Sequence, residues 1–275
     1  MNRSSPIVFG NKLNRLEKQM KILAIGDVVG SSGLELLSSK LWSARNSLGI
    51  DFCVVNGENA TDISGISRND ALKIFDAGAD VITLGNHTFG RRDLYDLLDE
   101  NESIIRPANY PAGVPGVGYT ISKVNGYRIL TMNLLGTVNM TAEACPFRTA
   151  DTILDKENGN YDIALIDFHA EATSEKIAMG RYLDGRVSAV FGTHTHVTTA
   201  DEQILPNGTA YITDLGMTGP TNGVLGVSYD IIISKFLTHM PHRFKVADGE
   251  CKAHGIILDI DETSGRARSI KRITF

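Results

Sequence analysis

The chain has 275 residues, of which 42% are hydrophobic and 21% are charged, and its formal net charge is -5. This length is enough for one large domain or two ordinary ones, each with a sizeable core. The negative charge argues against a surface that coats nucleic acid, but it does not exclude a local basic groove. Because no apolar run approaches the ~20 residues that cross a bilayer, no membrane association is expected.

Both the cysteines and the N-terminal residues narrow the class of protein. Cys53, Cys145 and Cys251 are far apart and form no C-x-x-C pair, so the sequence predicts neither a disulfide framework nor a thiolate zinc site. We therefore expect a cytoplasmic protein. Residues 1–19 contain basic residues but only a three-residue apolar cluster, which is too short for a secretory signal. We interpret 1–19 as an N-terminal extension, flexible or non-native, with a short amphipathic helix as the alternative, and 20–275 as a single domain.

From residue 21 onward, short apolar runs alternate with helical segments, which is typical of a layered α/β domain. Strands are predicted at 21–25, 52–55 and 81–84. Apolar residues spaced three and four apart predict intervening helices over 34–48 and 71–75, the second of which stops at Gly78.

The middle of the chain continues this alternation. Residues 93–99 are predicted to be helical, and 106–116 form a shaped loop with three prolines and two glycines. A hairpin joins 119–122 to 127–133, because Asn125-Gly126 suits a type I′ turn. A strand at 163–166, a helix at 174–183 and a strand at 187–191 follow. The final third contains apolar runs at 210–213 and 255–260 and few helical patterns.

Polar residues follow the predicted strands wherever a strand ends. In α/β sheets ligands bind at these carboxyl ends, where loops gather polar groups over a dry core. Singly, each residue has an ordinary alternative as a turn former, helix cap or core histidine. Together, carboxylate, imidazole and amide donors suit one or two divalent transition ions. The candidates are Asp27, Glu58, Asn59, Asn86, His87, His169, His194 and His196. The last two stand at i and i+2 of a predicted extended segment, so their rings are expected to point the same way.

In chain order, these blocks resemble the metal-binding motifs of the calcineurin-like metallophosphoesterases. The blocks are Gly26-Asp27, Gly57-Glu58-Asn59, Gly85-Asn86-His87, His169 and Gly192-Thr193-His194-Thr195-His196. Segments 106–110, 145–151, 167–176 and 211–219 also resemble the YmdB-like bacterial branch, which is known for 2′,3′-cyclic nucleotide phosphodiesterase activity. The resemblance covers nearly all of 21–275. It implies a four-layer αββα sandwich, in which helices flank two mixed sheets.

The resemblance also implies a binuclear metal centre. One ion would be held by Asp27, Glu58, Asn59 and His196, and the other by Glu58, Asn86, His169 and His194, with Glu58 bridging. Iron or manganese is favoured, and zinc or cobalt is compatible with the same donors. Two places depart from the wider superfamily. Val29 stands where most members carry a histidine, and Asn59-Ala60 stands where many hold an aspartate block; the YmdB-like branch is similar in both respects.

By this resemblance the reaction is attack of a metal-bridging hydroxide on a small nucleotide phosphodiester, with His87 as the proton donor. The alternative for His87 is a further ligand or a helix cap. Asp167 and Glu171 are expected to accept the second imidazole N–H of a ligand, or else to cap the helix near residue 174. Arg148 and Asn109 stand in predicted loops that could reach a phosphate or ribose.

Two other functions remain open at this point. A His-x-His pair at a strand end also occurs in metal-dependent amide or ester hydrolases built on a barrel, although there it usually belongs to the first strand. A regulatory metal-binding protein with little turnover is the second alternative, because the fold does not determine function. Chains of this type commonly self-associate, so a homo-oligomer is expected.

Overall fold

The computed structural model describes residues 19–62, 64–142 and 144–275. Within these ranges the helices are α1 (Gly30–Leu48), α2 (Arg68–Ala77), α3 (Tyr95–Glu100), α4 (Pro146–Lys156), α5 (Thr173–Leu183) and α6 (Tyr229–Thr238). The strands are β1 (Gln19–Ile25), β2 (Asp27–Val28), β3 (Phe52–Asn56), β4 (Val81–Thr83), β5 (Ile104–Ile105), β6 (Tyr119–Val124), β7 (Tyr127–Leu135), β8 (Ile163–His169), β9 (Ala189–Thr193), β10 (Gln203–Ile204), β11 (Ala210–Ile212), β12 (Met217–Pro220), β13 (Cys251–Asp261) and β14 (Ala267–Thr274).

These strands form two mixed sheets. The first has the order β2-β12-β13-β1-β3-β4-β5, with β14 added to β13, and its strands β1, β3, β4 and β5 are parallel. The second has the order β10-β11-β9-β8-β7-β6, and β7, β8, β9 and β11 are parallel within it. Because the strands of each parallel set run in the same direction, their carboxyl ends meet at one edge of the sheet.

The alternation of side chains along the strands places the core. Ile22 and Ala24 of β1 point toward the second sheet and pack in one cluster with Phe191, whereas Leu23 and Ile25 point the other way, toward α1 to α3. A third cluster buries α4 and α5 against the outer face of the second sheet. The layers are therefore helix, sheet, sheet and helix, which confirms the predicted αββα sandwich.

Local sequence signals explain several element boundaries. Ser67 caps α2 by accepting a hydrogen bond from the backbone N–H of Asp70, and Gly78 ends that helix with φ +115°. Asn125 and Gly126 have φ of +51° and +90°, as a type I′ turn requires, so the predicted hairpin is confirmed.

Some boundaries differ from the prediction. Gln19 already pairs with Asp261 in β1, one residue before the predicted domain start, whereas residues 1–18, with the predicted extension and its helical alternative, lie outside the described residues. Strand β8 continues through His169, because Asp167 and His169 pair with buried neighbours on β7 and β9. Strand β9 begins at Ala189, two residues later than predicted.

Helix α6 was not predicted. Its apolar residues do not make a one-sided stripe: Ile232 is its buried residue, whereas Ile233, Phe236 and Leu237 are 50%, 73% and 79% exposed. Without one buried face, the helical period gives no clear signal.

Two expected absences concern the described part of the chain. No helix there is long and apolar enough to cross a membrane. Cys53, Cys145 and Cys251 are free thiols, in agreement with the prediction of no disulfide.

Candidate metal centre

The seven predicted ligands lie together at the carboxyl edges of the two sheets. Asp27 follows β1, the Glu58-Asn59 pair follows β3, and Asn86 follows β4, all from the first sheet. The second sheet contributes the end of β8 and the loop after β9. A hydrogen bond of 3.0 Å from Asn56 Nδ2 to Asp167 Oδ2 joins the two edges.

One group of side chains surrounds the ring of His169. Its Nε2 lies 2.5 Å from Glu58 Oε2, 3.2 Å from Asn86 Oδ1 and 3.1 Å from His194 Nδ1. Four of the predicted ligands thus present nitrogen or oxygen atoms to one small volume.

A second group surrounds His196. Its Nε2 lies 3.2 Å from Asn59 Nδ2 and 3.7 Å from Asp27 Oδ1, and the same Asp27 oxygen is 3.8 Å from His169 Nδ1. One ligand atom from each of Asp27, Glu58 and His169 lies within 4.8 Å of the other two, so the groups are adjacent. The grouping follows the division of ligands that the resemblance implies, although that division stays a prediction.

Three oxygen atoms of this cluster are buried without a hydrogen-bond partner: Asp27 Oδ1, Glu58 Oε2 and Asn59 Oδ1. Asp27 and Glu58 are 0% exposed and Asn59 is 5% exposed. Because a buried unpaired oxygen costs free energy, three in one place indicate that a cation belongs among them. Carboxylate, amide and imidazole donors without thiolate fit a divalent transition ion.

The pKa shifts at the cluster have the same physical cause. Burial raises the pKa of Asp27 and of Glu58, and burial lowers the pKa of His169 and of His194 to about 4. The imidazoles are therefore neutral near pH 7, which is the form that binds a metal. The carboxylates are penalised for their charge, and a cation between them would offset that penalty.

Because Gly85 has no side chain, Glu58 and His169 can approach each other next to it. A Cβ at this position would lie 2.2 Å from Glu58 Oε2 and 2.4 Å from His169 Nε2, so any larger residue would displace both side chains. The glycine before Asn86-His87 is thus explained by close approach.

His87 lies at the margin of the cluster. Its backbone N–H donates a short hydrogen bond to Glu58 Oε1, and its ring Nδ1 is 3.4 Å from Ser64 Oγ. The half-buried side chain lines the adjoining cavity. The backbone of His87 therefore orients Glu58, while its ring faces the space where a substrate would lie.

The expected extended geometry of the two last histidines is wrong. His194 has φ +97° and His196 has φ +63°, because β9 ends at Thr193 and the chain then turns back on itself. Both rings reach the cluster through this left-handed turn and not through strand alternation.

Hydrogen bonds fix which ring nitrogen of His169 and of His196 faces the cluster. Thr193 Oγ1 donates to Asp167 Oδ1 at 2.6 Å, so at 2.9 Å it accepts from His169 Nδ1. His196 Nδ1 donates to the carbonyl oxygen of Leu225 at 3.1 Å. In both rings Nε2 is left as the ligand atom, as is usual for metal-binding imidazoles.

The expected role of Asp167 needs correction, whereas Glu171 lies against an imidazole nitrogen of a proposed ligand, as expected. Asp167 reaches His169 only through Thr193, because its oxygens are occupied by Thr193, Thr83 and Asn56. Burial raises the pKa of Asp167 to about 7, against the opposing effect of these hydrogen bonds. Glu171 Oε2 lies 3.0 Å from Nε2 of His194, not from His169. Neither carboxylate caps α5, whose N-cap residue Ala172 makes no side-chain cap.

The two loop residues considered for substrate contact have other environments. Asn109 is 1% exposed and pairs with both backbone groups of Leu135, so its side chain is structural. Arg148 is not in a loop but on the exposed face of α4. Thr193 and the Leu225 carbonyl were missed, and a backbone carbonyl has no sequence signal.

A cavity of about 1510 Å³ opens from the cluster. One wall carries Asn59, His87, His194 and His196. The facing wall is formed by the segment around α6, and its apolar members include Leu225, Ile232, Phe236, Phe244 and Val246. Arg91, Arg243 and Lys245 also line the cavity, with Arg91 paired to Asp62 at 2.9 Å.

Comparison with known proteins gives consistent results over almost the whole chain. Residues 23–273 match the family described as YmdB-like protein. The chain is 45% identical to the 2′,3′-cyclic-nucleotide 2′-phosphodiesterase of Bacillus subtilis (strain 168), covering 92% of this chain and 96% of that protein. It is 39% identical to a hypothetical protein of Thermus thermophilus (TM-score 0.88, 93% and 99% covered). It is 31% identical to a phosphatase of Mycoplasma pneumoniae (TM-score 0.89, 94% of each chain).

Proposed function

This chain belongs to the YmdB-like family, and we propose that it is a di-metal phosphodiesterase that opens 2′,3′-cyclic nucleotides. The observation that carries the proposal is the trio of unpaired buried oxygens on Asp27, Glu58 and Asn59 beside His169. Of these residues Asn59 reaches the surface of a large adjoining cavity, together with His194 and His196. A phosphoric diester hydrolase of this kind needs a site that concentrates positive charge next to space for a nucleoside.

Two divalent ions would occupy the two groups of side chains. Asp27, Glu58, Asn59 and His196 would hold one, and Glu58, Asn86, His169 and His194 the other. When bound, such ions supply positive charge for the phosphodiester anion and acidify water. Iron or manganese is proposed from the family resemblance, and the oxygen and imidazole donors fit either ion.

His87 would supply the proton for the leaving group. Water adds to phosphorus, the bond from phosphorus to one ribose oxygen breaks, and that oxygen must gain a proton to leave as a hydroxyl. His87 stands on the cavity wall next to Asn86, and its Nδ1 faces Ser64, so Nε2 is the atom that would donate. Histidine is suited to this role because it exchanges protons near neutral pH.

The size and apolar lining of the cavity favour a nucleotide as substrate over a smaller phosphodiester. Its apolar wall, with Ile232, Phe236 and Phe244, faces the cluster across a space larger than the 300–1,000 Å³ typical of small-molecule sites. A base could pack on this wall while the cyclic phosphate lies at the cluster. Arg243 and Lys245 add cations suited to a second phosphate of a longer substrate.

The two alternative functions differ from the proposed one in the fold or in the turnover that they predict. The amide or ester hydrolase was expected on a barrel, and the two-sheet sandwich does not provide one. A regulatory protein would keep the metal site but turn over little substrate, so measured turnover separates it from the enzyme. Self-association stays a prediction.

The decisive experiment combines metal analysis with a substrate panel. Protein purified without chelator should contain about two ions per chain and hydrolyse 2′,3′-cyclic AMP. In turn, His194→Ala and His196→Ala should each remove a different ion. Complete inactivity with both Mn²⁺ and Fe²⁺ would overturn the phosphodiesterase proposal, and if either variant emptied both sites only the division of ligands would be wrong.

A further inference from the structure

We propose that the buried ion pair of Lys176 and Asp214 holds Thr195 and thereby positions the two histidines of the metal centre. Lys176 and Asp214 are then positioning residues for metal binding that are buried away from the cavity, and Thr195 connects them to the two histidines. This inference rests on the proposed metal centre. It assigns a function to an ion pair that the proposed reaction does not itself use.

The His194-Thr195-His196 turn needs an anchor. His194 and His196 have φ of +97° and +63°, a conformation that is costly for residues with a Cβ. Such a conformation persists only where the surrounding structure imposes it. Thr195 is the residue between them, so whatever holds Thr195 sets the direction of both rings.

Asp214 supplies that anchor. Its Oδ2 accepts hydrogen bonds from the backbone N–H of Thr195 at 3.1 Å and from Thr195 Oγ1 at 2.7 Å. Its Oδ1 accepts from the backbone N–H of Gly216 at 2.8 Å. Asp214 is 0% exposed, so one fixed carboxylate ties the histidine turn to the loop between β11 and β12.

The ammonium group of Lys176 offsets the cost of burying the charge of Asp214. Its Nζ lies 2.6 Å from Asp214 Oδ2, and the residue is 1% exposed, which excludes contact with a ligand in the cavity. An apolar replacement of a buried ion pair is often equally stable. Stability alone therefore does not account for this pair, whereas a charged acceptor that orients three donors does.

Packing around the pair leaves little freedom. A Cβ at Gly192 would lie 2.9 Å from Lys176 Cδ and 1.8 Å from the carbonyl oxygen of Thr213, so β9, α5 and the β11–β12 loop meet here. On the opposite side of the turn, the backbone N–H of His194 donates to Asp27 Oδ2 at 3.1 Å. Asp27, a proposed metal ligand, thus holds the histidine turn on one side, and Asp214 holds it on the other.

The test compares Thr195→Val with Thr195→Ser. Valine has the shape of threonine but removes the Oγ1 donor, whereas serine keeps it. We expect Thr195→Val to weaken Mn²⁺ binding by ~10-fold or more, because loss of a hydrogen bond that orients a ligand has an effect of this size. Thr195→Ser should bind Mn²⁺ as tightly as the unmodified chain. Calorimetric titration of the metal-free full chain with Mn²⁺ measures both, without relying on activity.

A matched control separates positioning from stability. Thr209 is buried, and its Oγ1 donates to the carbonyl oxygen of Val187 at 2.7 Å near the opposite end of β9. We expect Thr209→Val to lower the Tm without weakening Mn²⁺ binding. Lys176→Met would leave Asp214 buried without its cation and can prevent folding, so the Thr195 variants carry the test.

The outcomes are distinct. If Thr195→Val binds Mn²⁺ as tightly as the unmodified chain, the positioning inference is wrong. It is also wrong if Thr195→Val and Thr209→Val lower the Tm and the Mn²⁺ affinity in parallel, because both would then be structural. If the unmodified chain binds no Mn²⁺ or Fe²⁺, the proposed metal centre itself fails.

Discussion

The two facing walls of the cavity are built in opposite ways. The polar wall consists of Asn59, His87, His194 and His196, which follow strand ends and lie over Asp27, Glu58 and His169, all three 0% exposed. The apolar wall lies on and around α6, where Phe236 is 73% and Phe244 is 43% exposed. The reactive groups are thus fixed by the core, whereas the proposed recognition surface stands outside it.

The polar and apolar walls are connected by the turn at 224–227. The Leu225 carbonyl, which holds His196, belongs to a tight turn in which Val224 pairs with Val227. A Cβ at Gly226 would lie 2.5 Å from Val29 Cγ1, so Val29 packs beneath this turn. The position where most of the wider superfamily carries a histidine therefore supports, in this chain, the backbone that orients another histidine.

Removing charge from the buried cluster behind the polar wall should have the largest effect. Glu58→Gln keeps an acceptor for the His87 N–H but replaces the carboxylate shared by the two proposed ion sites. We expect phosphodiesterase activity to fall by ~10³-fold and the metal content to fall below two ions per chain. Glu100→Gln, a change in a surface ion pair with Arg68, is the control. Full metal content with normal kcat in Glu58→Gln would contradict the bridging role.

Removal of the proposed proton donor should be the next largest effect. His87→Ala should slow turnover by ~10²-fold or more while both ions stay bound, because the His87 ring lies beside the cluster and its backbone N–H is retained. Steady-state kinetics together with metal analysis checks this. Loss of metal would identify His87 as a ligand.

Substitution in the apolar wall should change recognition and leave the chemistry unaffected. Phe236→Ala should raise the KM for 2′,3′-cyclic AMP by ~10-fold, since burial of an aromatic side chain against a base contributes about 1.5 kcal/mol. Hydrolysis of a cyclic phosphodiester without a base should be unchanged. Leu237→Ala is the matched control, because Leu237 is on the same helix, 79% exposed, and is not among the residues lining the cavity. Equal effects on both substrates would show that Phe236 acts through the fold.

The smallest effect is expected at a carboxylate whose oxygens are fully paired. Burial alone would raise the pKa of Asp201, but hydrogen bonds from Thr199 and Thr213 outweigh it and lower the pKa. Asp201→Asn should therefore reduce the free energy of unfolding by about 1 kcal/mol at pH 7 and leave activity unchanged.

The pH dependence of that loss follows from its sign. A lowered pKa in the folded state contributes stability above the unfolded-state pKa of about 3.9, and the contribution is lost as pH falls through the folded-state value. The difference in unfolding free energy between the two proteins should stay constant above about pH 5 and shrink in more acidic solution. Denaturant unfolding at several pH values measures it, and a difference that grew on acidification would contradict the assignment.

Most of the fold was readable from the sequence because short-range patterns specify it. Strands β1, β3 and β4, helices α1 and α2, and the Asn125-Gly126 hairpin each carry a local signal of period or turn chemistry. Helix α6 lacked one, since its apolar residues are largely exposed. A pattern can be recognised only where packing selects one face.

The candidate residues were also found by sequence, through polar clusters at strand ends and through family motifs. That Asp27, Glu58 and His169 approach within 4.8 Å, and that Thr193 stands between Asp167 and His169, depends on how two sheets pack. The left-handed His194-Thr195-His196 turn also depends on this packing, because its anchors are Asp214 and the Leu225 carbonyl, which are distant in sequence. By itself the sequence determined the family, the layered architecture and the candidate donors, because these depend on residue type and spacing. Only the tertiary structure decided which atoms face one another, because residues more than a hundred positions apart meet there through long-range packing.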